Sequence, residues 1–378
     1  MTQILLAVHN AESGGAQLLA LADARHLARK FSLTISIPEG SLRDDFGKTG
    51  ELVPATPVLP IWGASPGRWA LQSARTLADA VRLAVMIRRR GIKLVVVNSA
   101  VLLAPVLAAR LAGVPAIVHA REFPMTRGGR VVFRLHRRLA TTVIAISRAV
   151  EERLPETRGG RLVRILAGIP IPERRPAPAQ GFHSPVRLCV LGSVNGRHSK
   201  GQDVAVAALG WLTSQGVDAS LDLVGPISDQ AFAAELKSSA EQLGVADRVR
   251  LAGESRATDD VFAQTDIVLM CSRLEPLGLV PAEALVRGRP VIAARTGGLP
   301  EVVRDGETGL LVPPEDPEAL GDAVARMISS PEETREMIAR GREDVEQRFD
   351  IELSLQRLQD EVELALGRSR QVTGNGSA

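Results

Sequence analysis

Short apolar runs alternate along the chain with longer segments in which apolar residues recur at helical spacing. The first two runs are Ile4–Val8 and Leu33–Ile37, and the segment between them, Gly15–Lys30, has the length of a helix. Strand-length apolar runs separated by amphipathic helical segments are typical of parallel βαβ units. The pattern therefore predicts an α/β chain built on parallel, doubly wound sheets.

This alternation occurs in two series. The first ends near Val143–Ile146, and the second runs from Val186–Leu191 to Val291–Ala294. Residues 171–181, which separate them, are rich in proline and lack periodicity, as is typical of a linker. A chain of 378 residues can form two domains with full cores. The predicted organisation is an N-terminal domain at 1–172, a linker at 173–185 and a C-terminal domain at 186–350.

The most informative stretch runs from Ser272 to Glu283, where a strand pattern passes through a loop into a helix pattern. Gly278 allows a ligand to approach the backbone closely, and Pro281 suits the first turn of a helix. The amides of Leu279 and Val280 are then left without partners inside the helix, which indicates a site for phosphate oxygens.

Two carboxylates, Glu275 and Glu283, flank this phosphate site with seven residues between them. Carboxylates next to a phosphate are unfavourable unless they meet hydroxyls or cations, and a sugar nucleotide offers hydroxyls on its sugar and its ribose. The pair resembles the glutamate motif of the retaining glycosyltransferases of family four, and the run Gly288–Val312 resembles the same family closely. The resemblance implies that Glu275 acts catalytically on the sugar hydroxyls and that Glu283 binds the ribose.

The resemblance covers nearly the whole chain and implies the GT-B fold, in which two Rossmann-like domains face a cleft. The last helix, at 351–367, would cross back to the N-terminal domain, and the small polar tail at 368–378 is expected to be disordered. The implied reaction is retaining transfer of a sugar from a nucleotide-sugar donor, with a UDP- or GDP-sugar expected. The acceptor could be a lipid-linked or cell-envelope glycan or a small metabolite.

Residues of the N-terminal half match family positions that face the donor and the acceptor. Gly14 and Gly15 follow the first strand and match a Gly-Gly-Ala loop that faces the donor phosphate. His119 ends a buried strand, where the family has a histidine that contacts the donor sugar at the reaction centre, so it is the second predicted catalytic residue. Arg121 and Glu122 are predicted to lie on the acceptor side.

In the C-terminal half, Lys200 precedes a predicted helix and is expected to bind the diphosphate as a point charge. The family usually has an arginine directly after the strand-end glycine, but this chain has Ser193 there, so Arg197 is predicted to supply the second cation. The backbone of Arg250 and Leu251, in a strand that resembles the one that meets the nucleotide base, is predicted to contact the base.

Composition limits the other classes of site. Cys189 and Cys271 lie in apolar runs and are predicted to be core thiols. The chain contains no Asp-x-Asp motif, so no metal and no cofactor beyond the sugar-nucleotide substrate is expected. No Gly-x-Gly-x-x-Gly follows the first strand, which argues against a nicotinamide dehydrogenase.

Charge is distributed unevenly. Residues 1–175 contain 26 Lys and Arg against 12 Asp and Glu, whereas residues 176–378 contain 20 against 31. A basic N-terminal half suggests an anionic partner, and a solvated arginine-rich surface is the alternative. Nucleic acid is not expected as a partner.

The segment Arg130–Ala140 has the pattern of a basic amphipathic helix, for which contact with a membrane surface and packing on the sheet are both open. Its predicted apolar face comprises Val131, Leu135 and Leu139, and its predicted basic face comprises Arg130, Arg134, Arg137 and Arg138. The chain has neither a signal-peptide pattern nor an apolar run of 18 residues. A cytoplasmic protein is expected, with the inner face of the membrane as an open alternative.

Two other functions remain open at this stage. The chain could be a non-catalytic protein that binds sugar nucleotides, or another GT-B enzyme such as a phosphorylase or an epimerase. The joint presence of His119, Lys200, Glu275 and Glu283 favours a catalytic glycosyltransferase.

Overall fold

The computed structural model describes residues 1–12, 14–59, 65–157, 159–173, 181–196, 200–255 and 257–374. These residues form two compact units, one of Met1–Ala167 with Glu352–Ala378 and the other of Gly168–Ile351. Residues 174–180 of the predicted linker, residues 375–378 of the predicted tail, and Arg197 lie outside the described residues.

The N-terminal unit is a parallel sheet with helices in the crossovers. Its elements are β1 (Gln3–Ala7), α1 (Gly15–Ala28), β2 (Ser32–Ser36), α2 (Arg43–Gly47), β3 (Glu51–Val53), α3 (Pro66–Arg90), β4 (Leu94–Val97), α4 (Ala104–Ala112), β5 (Ala116–Ala120), α5 (Arg127–Leu139), β6 (Thr142–Ala145), α6 (Arg148–Glu151) and β7 (Arg161–Arg164). Among the described residues the strand order is β3-β2-β1-β4-β5-β6-β7. The order reverses between β1 and β4, and such a switch point is where ligands bind in open α/β sheets.

The C-terminal unit repeats this architecture. Its elements are β8 (Val186–Leu191), α7 (Gln202–Ser214), β9 (Ala219–Val224), α8 (Gln230–Gln242), β10 (Val249–Gly253), α9 (Thr258–Gln264), β11 (Ile267–Met270), α10 (Leu279–Val286), β12 (Val291–Ala294), α11 (Leu299–Val302), β13 (Leu310–Val312), α12 (Pro317–Ser329) and α13 (Pro331–Arg348). Over the part that the structure describes, the parallel strands follow the order β10-β9-β8-β11-β12-β13. The switch point of this sheet lies between β8 and β11.

The last helix, α14 (Ile351–Gly374), belongs to the N-terminal unit from Glu352 onward. Leu358, Val362 and Ala365 of α14 join the core that β1 and α1 form on one face of the sheet. The helix continues seven residues beyond the predicted end at Gly367, because no proline follows that position.

Right-handed crossovers place the helices of the N-terminal unit on two faces of its sheet. Helices α1 and α2 join strands that proceed in one direction along the sheet, whereas α3, α4 and α5 join strands that proceed in the other. Helices α3, α4 and α5 therefore share the face opposite α1.

The predicted faces of α5 were wrong. Val131 is 51% exposed, and the side that packs on the unit comprises Val132, Phe133, His136 and Arg137. The rotation of the helix is set by specific contacts, since His136 Nε2 donates to the carbonyl of Ala100 at 2.8 Å and Arg137 donates to the carbonyl of Gly160 at 2.8 Å. Hydrophobic periodicity alone does not predict these polar contacts.

Candidate functional site

The first candidate site lies at the switch point of the C-terminal unit. Strands β8 and β11 are parallel neighbours there, with Ile267 opposite Leu188. Because the carboxyl ends of parallel strands meet at one edge of a sheet, the loop after β8 and the loop after β11 come together. The first loop carries Lys200 and the second carries Glu275.

These two side chains form an ion pair. Lys200 Nζ lies 2.7 Å from Glu275 Oε2, and the hydroxyl of Ser272 donates to the same carboxylate oxygen at 3.3 Å. The Lys200 side chain is 28% exposed and that of Glu275 is 13% exposed. The pair is therefore oriented by the protein and still reachable by a ligand.

Glycines allow three loops to close around Glu275. Gly201 has φ +68°, and a Cβ there would lie 2.1 Å from the carbonyl oxygen of Cys271. Gly297 has φ +53°, and its Cβ would lie 2.0 Å from the carbonyl oxygen of Glu275. The amide of Gly298 donates to that carbonyl at 2.8 Å. Any larger residue at 201 or 297 would push these backbones apart.

The start of α10, where the sequence predicts a phosphate site, is an uncapped helix end. Gly278 adopts φ +88°, and no side chain caps the helix there. The half-buried residues Leu279 and Val280 donate their amides to no acceptor among the described residues. A Cβ at Gly278 would lie 2.5 Å from a methyl of Leu299 and 3.1 Å from Glu275 Cγ. This glycine thus lets the helix start beside the Glu275 carboxylate.

Glu283 lies in the same helix and is half-buried. Burial raises the pKa of its carboxyl, and the charge of Arg287 partly opposes that rise. The carboxylate makes no hydrogen bond with the described residues, because the Arg287 guanidinium donates instead to Asp259 at 2.7 Å and to the Glu283 carbonyl at 3.0 Å. Glu283 therefore retains acceptor oxygens for a ligand.

The departure from the family pattern involves Ser193, where the family has an arginine, and Arg197, its predicted replacement. Ser193 bonds within the protein, donating to the Pro226 carbonyl at 3.2 Å and lying 3.0 Å from the hydroxyl of Ser228. Arg197, the predicted replacement for the missing arginine, cannot be placed because it lies outside the described residues. The structure places Lys200 at this switch point, paired with Glu275.

A nearby cation, Arg273, is held by acidic neighbours. Its guanidinium donates to both carboxylate oxygens of Asp203, at 2.9 and 2.8 Å, and to Glu315 at 2.5 Å. These partners raise the pKa of Arg273 further, so it is a fixed ion-paired anchor for the loop after β11.

Arg250 and Leu251 lie in β10, which is the edge strand next to β9. The Arg250 side chain bonds to Asp222, with Nε 2.8 Å from Oδ1, and is committed to that contact. An edge strand leaves one row of its backbone N–H and C=O groups without a neighbouring strand, so these groups can bind a ligand. Contact between this backbone and the nucleotide base stays a prediction.

The second candidate site lies near the switch point of the N-terminal unit, where β1 pairs with β4 and the direction of the strand order reverses. His119, near the end of β5, is 6% exposed. Its Nδ1 lies 3.1 Å from Arg121 Nη2, and Arg121 also donates to the Asn98 carbonyl at 3.1 Å and to Asp23 Oδ2 at 2.9 Å. A buried cluster of Asp23, Asn98, His119 and Arg121 results.

The contact with Arg121 determines the tautomer of His119. Burial, followed by the charge of Arg121, lowers the pKa of His119 well below its usual value, so the imidazole is neutral. A guanidinium can only donate, so Nδ1 accepts and the ring proton lies on Nε2. His119 Nε2 is buried and has no hydrogen-bond partner among the described residues. It is a buried donor without an acceptor, and an oxygen atom of a ligand could accept its hydrogen bond.

Arg121 and Glu122 are the predicted acceptor-side residues, and Arg121 is buried whereas Glu122 is half-buried. Glu122 accepts from the Ser99 hydroxyl and from the Arg121 amide at 3.2 Å, and burial raises the pKa of its carboxyl. Their side-chain groups are thus engaged inside the protein, where they hold the end of β5 against the loop after β4.

Gly14 and Gly15 lie where the sequence analysis placed them, at the start of α1. Gly14 caps the helix in an extended conformation, with φ −178°, and a Cβ at Gly15 would meet no neighbour within 4 Å. Across the turn, His9 Nε2 lies 3.4 Å from the side-chain amide of Gln17, and His9 Nδ1 lies 3.3 Å from Asn98 Oδ1. The glycine turn therefore lies beside the buried cluster.

Sequence analysis missed Asp23, the anionic partner of Arg121. An available signal was its position in α1, where one acidic residue interrupts the apolar run Leu18–Ala24. A charged residue on the buried side of a helix needs a partner, but the sequence does not say that the partner is 98 positions away.

Asp23→Asn is expected to change how stability depends on pH. Burial raises the pKa of Asp23 to about 6, although Arg121 opposes the rise. A raised folded-state pKa favours the protonated form, so its stabilising contribution is present below the ordinary value of 3.8 and is lost as pH rises through about 6. The difference in unfolding free energy between wild type and variant should therefore change by roughly 2–3 kcal/mol between pH 4 and pH 7. Denaturant titrations at both pH values measure it, and a constant difference would contradict the assignment.

The described residues contain no group of three His, Cys, Asp or Glu side chains arranged to hold a metal ion. Within the same ranges, no helix is both long and apolar enough to span a membrane. Cys189 and Cys271 are buried free thiols, as predicted, and burial raises the pKa of each to about 12.

Comparison with known proteins gives a family match in the C-terminal unit. A family model described as "Glycosyl transferases group 1" matches residues 185–344. D-inositol 3-phosphate glycosyltransferase of Corynebacterium glutamicum is 39% identical over 141 residues, which are 36% of this chain and 34% of that protein. N-acetyl-alpha-D-glucosaminyl L-malate synthase of Bacillus anthracis is 34% identical over 151 residues, 40% of this chain and 38% of that one. The chain thus matches little more than a third of these relatives' lengths.

Solved structures resemble nearly the whole chain. Anabaena Alr3699/HepE, in complex with UDP and glucose, has a TM-score of 0.79 at 22% identity and covers 96% of this chain and 100% of its own. Sucrose-phosphate synthase of Thermosynechococcus elongatus has a TM-score of 0.73 at 19% identity. The match covers 96% of this chain and 99% of the synthase chain. These likenesses confirm the predicted fold class, two Rossmann-like α/β domains of the GT-B type. The family match, over residues 185–344, agrees with the resemblance seen in the sequence of the C-terminal unit.

Proposed function

We propose that this chain is a retaining glycosyltransferase of family four that moves a sugar from a nucleotide-sugar donor to a hydroxyl-bearing acceptor. The observation that carries the proposal is the Lys200–Glu275 pair, 2.7 Å apart, beside the uncapped start of α10. The cation and the free helix amides at this switch point suit the diphosphate of such a donor, and the carboxylate suits its sugar hydroxyls.

The C-terminal unit would bind the donor. Lys200 and the amides of Leu279 and Val280 would hold the diphosphate, since helix amides and an ammonium both favour anions. Glu275 would accept hydrogen bonds from the sugar, and Glu283 from the ribose. Lys200 has three N–H donors, so it can keep its bond to Glu275 while it binds a phosphate oxygen.

The same groups would assist bond breaking. Negative charge develops on the leaving diphosphate as the anomeric carbon–oxygen bond breaks, and fixed donors aimed at that charge lower the barrier. The acceptor hydroxyl forms the new bond to the anomeric carbon and gives up its proton, for which the leaving phosphate oxygen is the acceptor. Retention of the anomeric configuration rests on the family resemblance.

In the N-terminal unit, the neutral His119 would donate its Nε2 proton to a hydroxyl of the transferred sugar. Asp23 and Arg121 would act as positioning residues, because Arg121 occupies Nδ1 and Asp23 holds Arg121. The cations of the protein would serve the diphosphate without a metal ion.

The relatives support this assignment of substrates. Alr3699/HepE was solved with UDP and with UDP-glucose, which makes a UDP-sugar the first donor to test. The corynebacterial relative is named for a hydroxyl-bearing phosphate acceptor, D-inositol 3-phosphate. A GDP-sugar donor, and a glycan, lipid-linked or small-molecule acceptor, complete the proposed range.

A thermal-shift series with UDP-, GDP-, ADP- and dTDP-sugars, with and without a chelator, tests the proposal. One nucleotide class is expected to raise the melting temperature, because a ligand of the native state stabilises it by RT ln(1 + [L]/Kd). The rise should be smaller in Lys200→Met and unchanged by the chelator. Release of the nucleotide in the presence of acceptors would then measure turnover. Stabilisation without turnover for every acceptor would support the non-catalytic alternative, and the absence of any rise would contradict the proposed donor site.

A further inference from the structure

One face of the N-terminal unit concentrates the positive charge of the chain. Residues 65–140, which include α3, α4 and α5, contain 14 Lys and Arg against two acidic residues. This segment accounts for +12 of the +14 carried by residues 1–175. We call the outer surface of α3, α4 and α5 the basic face.

Neither acidic residue offsets this charge at the surface. Glu122 is half-buried and accepts a hydrogen bond from the Ser99 hydroxyl. Asp79, whose side chain is 11% exposed, pairs with Arg82 at 2.6 Å. Arg121 and Arg137 are buried, and Arg90 pairs with Glu51 at 2.6 Å. The cations that stay exposed give the basic face a positive field toward solvent.

The three helices form one continuous surface. A Cβ at Gly128 of α5 would lie 2.4 Å from the ring of Trp69, so the starts of α3 and α5 touch. At the other end of α3, the Arg88 guanidinium donates to the carbonyl of Leu111 in α4.

The same face exposes apolar side chains. Twelve large hydrophobic residues are exposed among the described residues, and seven of them belong to this surface. They are Leu71, Leu77, Val81 and Val85 of α3, Leu111 of α4, and Met125 and Val131 at the start of α5. Their exposed fractions lie between 41% and 62%. Isolated exposed apolar residues are ordinary, but a cluster of this kind marks an interaction surface.

Charge and apolar character are arranged side by side along α3. Arg68, Arg75, Arg82 and Arg89 recur at every seventh position, so they follow one line along the helix. The exposed side chains of α3 lie next to this line. Arg68, Arg75 and Arg89 form no ion pair with the described residues. The arrangement is that of an amphipathic helix lying in a membrane interface.

A groove beside the arginine line adds a place for a phosphate group. It has a volume of about 780 Å³ and is lined by Arg68, Arg75, Arg82 and the segment 55–59. At its floor, Thr56 is 6% exposed and its hydroxyl has no hydrogen-bond partner among the described residues. Guanidinium groups and a free hydroxyl are donors that suit the phosphate of a lipid headgroup.

We propose that the basic face docks on an anionic lipid bilayer. Arginines would contact headgroup phosphates, and the apolar side chains of α3 and α5 would enter the boundary between headgroups and acyl chains. Nucleic acid fits the face less well, since the exposed aliphatic side chains have no counterpart on a phosphate backbone and the described residues of the face expose no aromatic ring for stacking. The proposal does not depend on the glycosyltransferase assignment, because its readout is binding.

Sedimentation of the full chain with vesicles tests it. Vesicles of phosphatidylcholine alone are compared with vesicles that also contain phosphatidylglycerol, at low and high salt. Wild type is expected to bind the anionic vesicles, and to bind less as salt screens the arginines. R68Q/R75Q/R89Q should bind about a hundredfold more weakly, at roughly fivefold per charge. L77S/V81S/V85S should bind about tenfold more weakly because buried apolar area is lost.

Two matched controls separate this surface from general effects of charge and hydrophobicity. R25Q/R29Q/K30Q removes the same charge from the region of α1, on the opposite face of the sheet, and L353S/L364S removes exposed apolar residues of α14. Both should bind as wild type does. All four variants alter exposed residues, and thermal unfolding confirms that each is folded.

Three results would overturn the proposal. One is equal binding to neutral and anionic vesicles, and another is the same loss in the α1 control as in the α3 variant. The third is that the protein binds a soluble polyanion, such as a nucleic acid duplex, but no vesicles, and that L77S/V81S/V85S binds this polyanion as tightly as wild type does.

Discussion

Glu275→Gln is expected to lower the turnover of sugar transfer by about a thousandfold, the upper end of what one charge-stabilising group contributes. The amide keeps the size of the side chain but loses the charge that strengthens bonds from sugar hydroxyls, and it weakens the alignment of Lys200. Stability should fall by about 1 kcal/mol at most, since the ion pair that is lost reaches solvent. Steady-state kinetics and denaturant unfolding of the same preparations measure both effects.

The partner variant shows whether the pair works as a unit. In Lys200→Met, donor affinity should fall, and the double variant should lose less than the product of the single losses, because each single change already breaks the pair. Glu307→Gln, an exposed glutamate of the same unit whose side chain is 64% exposed, is the matched control and should keep wild-type turnover. Wild-type activity in Glu275→Gln would remove the proposed role.

His119→Ala is expected to lower kcat by a hundredfold to a thousandfold while the KM for the donor changes little. The variant removes the unpaired Nε2 donor and leaves Arg121 bonded to Asp23. Because burial and Arg121 lower the pKa of His119 well below its usual value, the imidazole is neutral throughout the neutral range. Titration of His119 should therefore cause no step in the kcat of the wild type between pH 6 and 8. The pH profiles of wild type and His119→Ala should have the same shape in this range.

His183→Gln is the control, because the His183 side chain is 59% exposed and lies in the other unit. Its turnover should match that of wild type. If His119→Ala raises the KM for the donor and leaves kcat unchanged, His119 has a binding role. If the kcat of the wild type shows a step in the neutral pH range that is absent in His119→Ala, His119 is a titrating acid or base.

The fold class followed from local pattern alone. Short apolar runs such as Ile4–Val8 and Ile267–Met270 are buried on both faces of their sheets, and burial on both faces leaves a continuous apolar run in the sequence. The Ser272–Glu283 stretch could be interpreted for the same reason. A strand, a loop with Gly278 and a helix start lie next to each other in the chain, so their chemistry is visible without tertiary structure.

The contacts that give the site its character join distant positions. Lys200 and Glu275 are 75 residues apart, and they meet because the strand order places β8 next to β11. Asp23 and Arg121 are 98 residues apart, and only the packing of α1 across the sheet makes that carboxylate the partner of the guanidinium next to His119.

The sequence by itself determined the α/β class, the two-series organisation, the glutamate motif and the strand-end position of His119. Each of these depends on neighbours along the chain. The tertiary structure decided which face of α5 is buried, the tautomer of His119, the ion pair of Lys200 and the gathering of arginine and apolar side chains on the basic face. Those features depend on which surfaces meet after folding, and a one-dimensional pattern of hydrophobicity and charge does not contain that information.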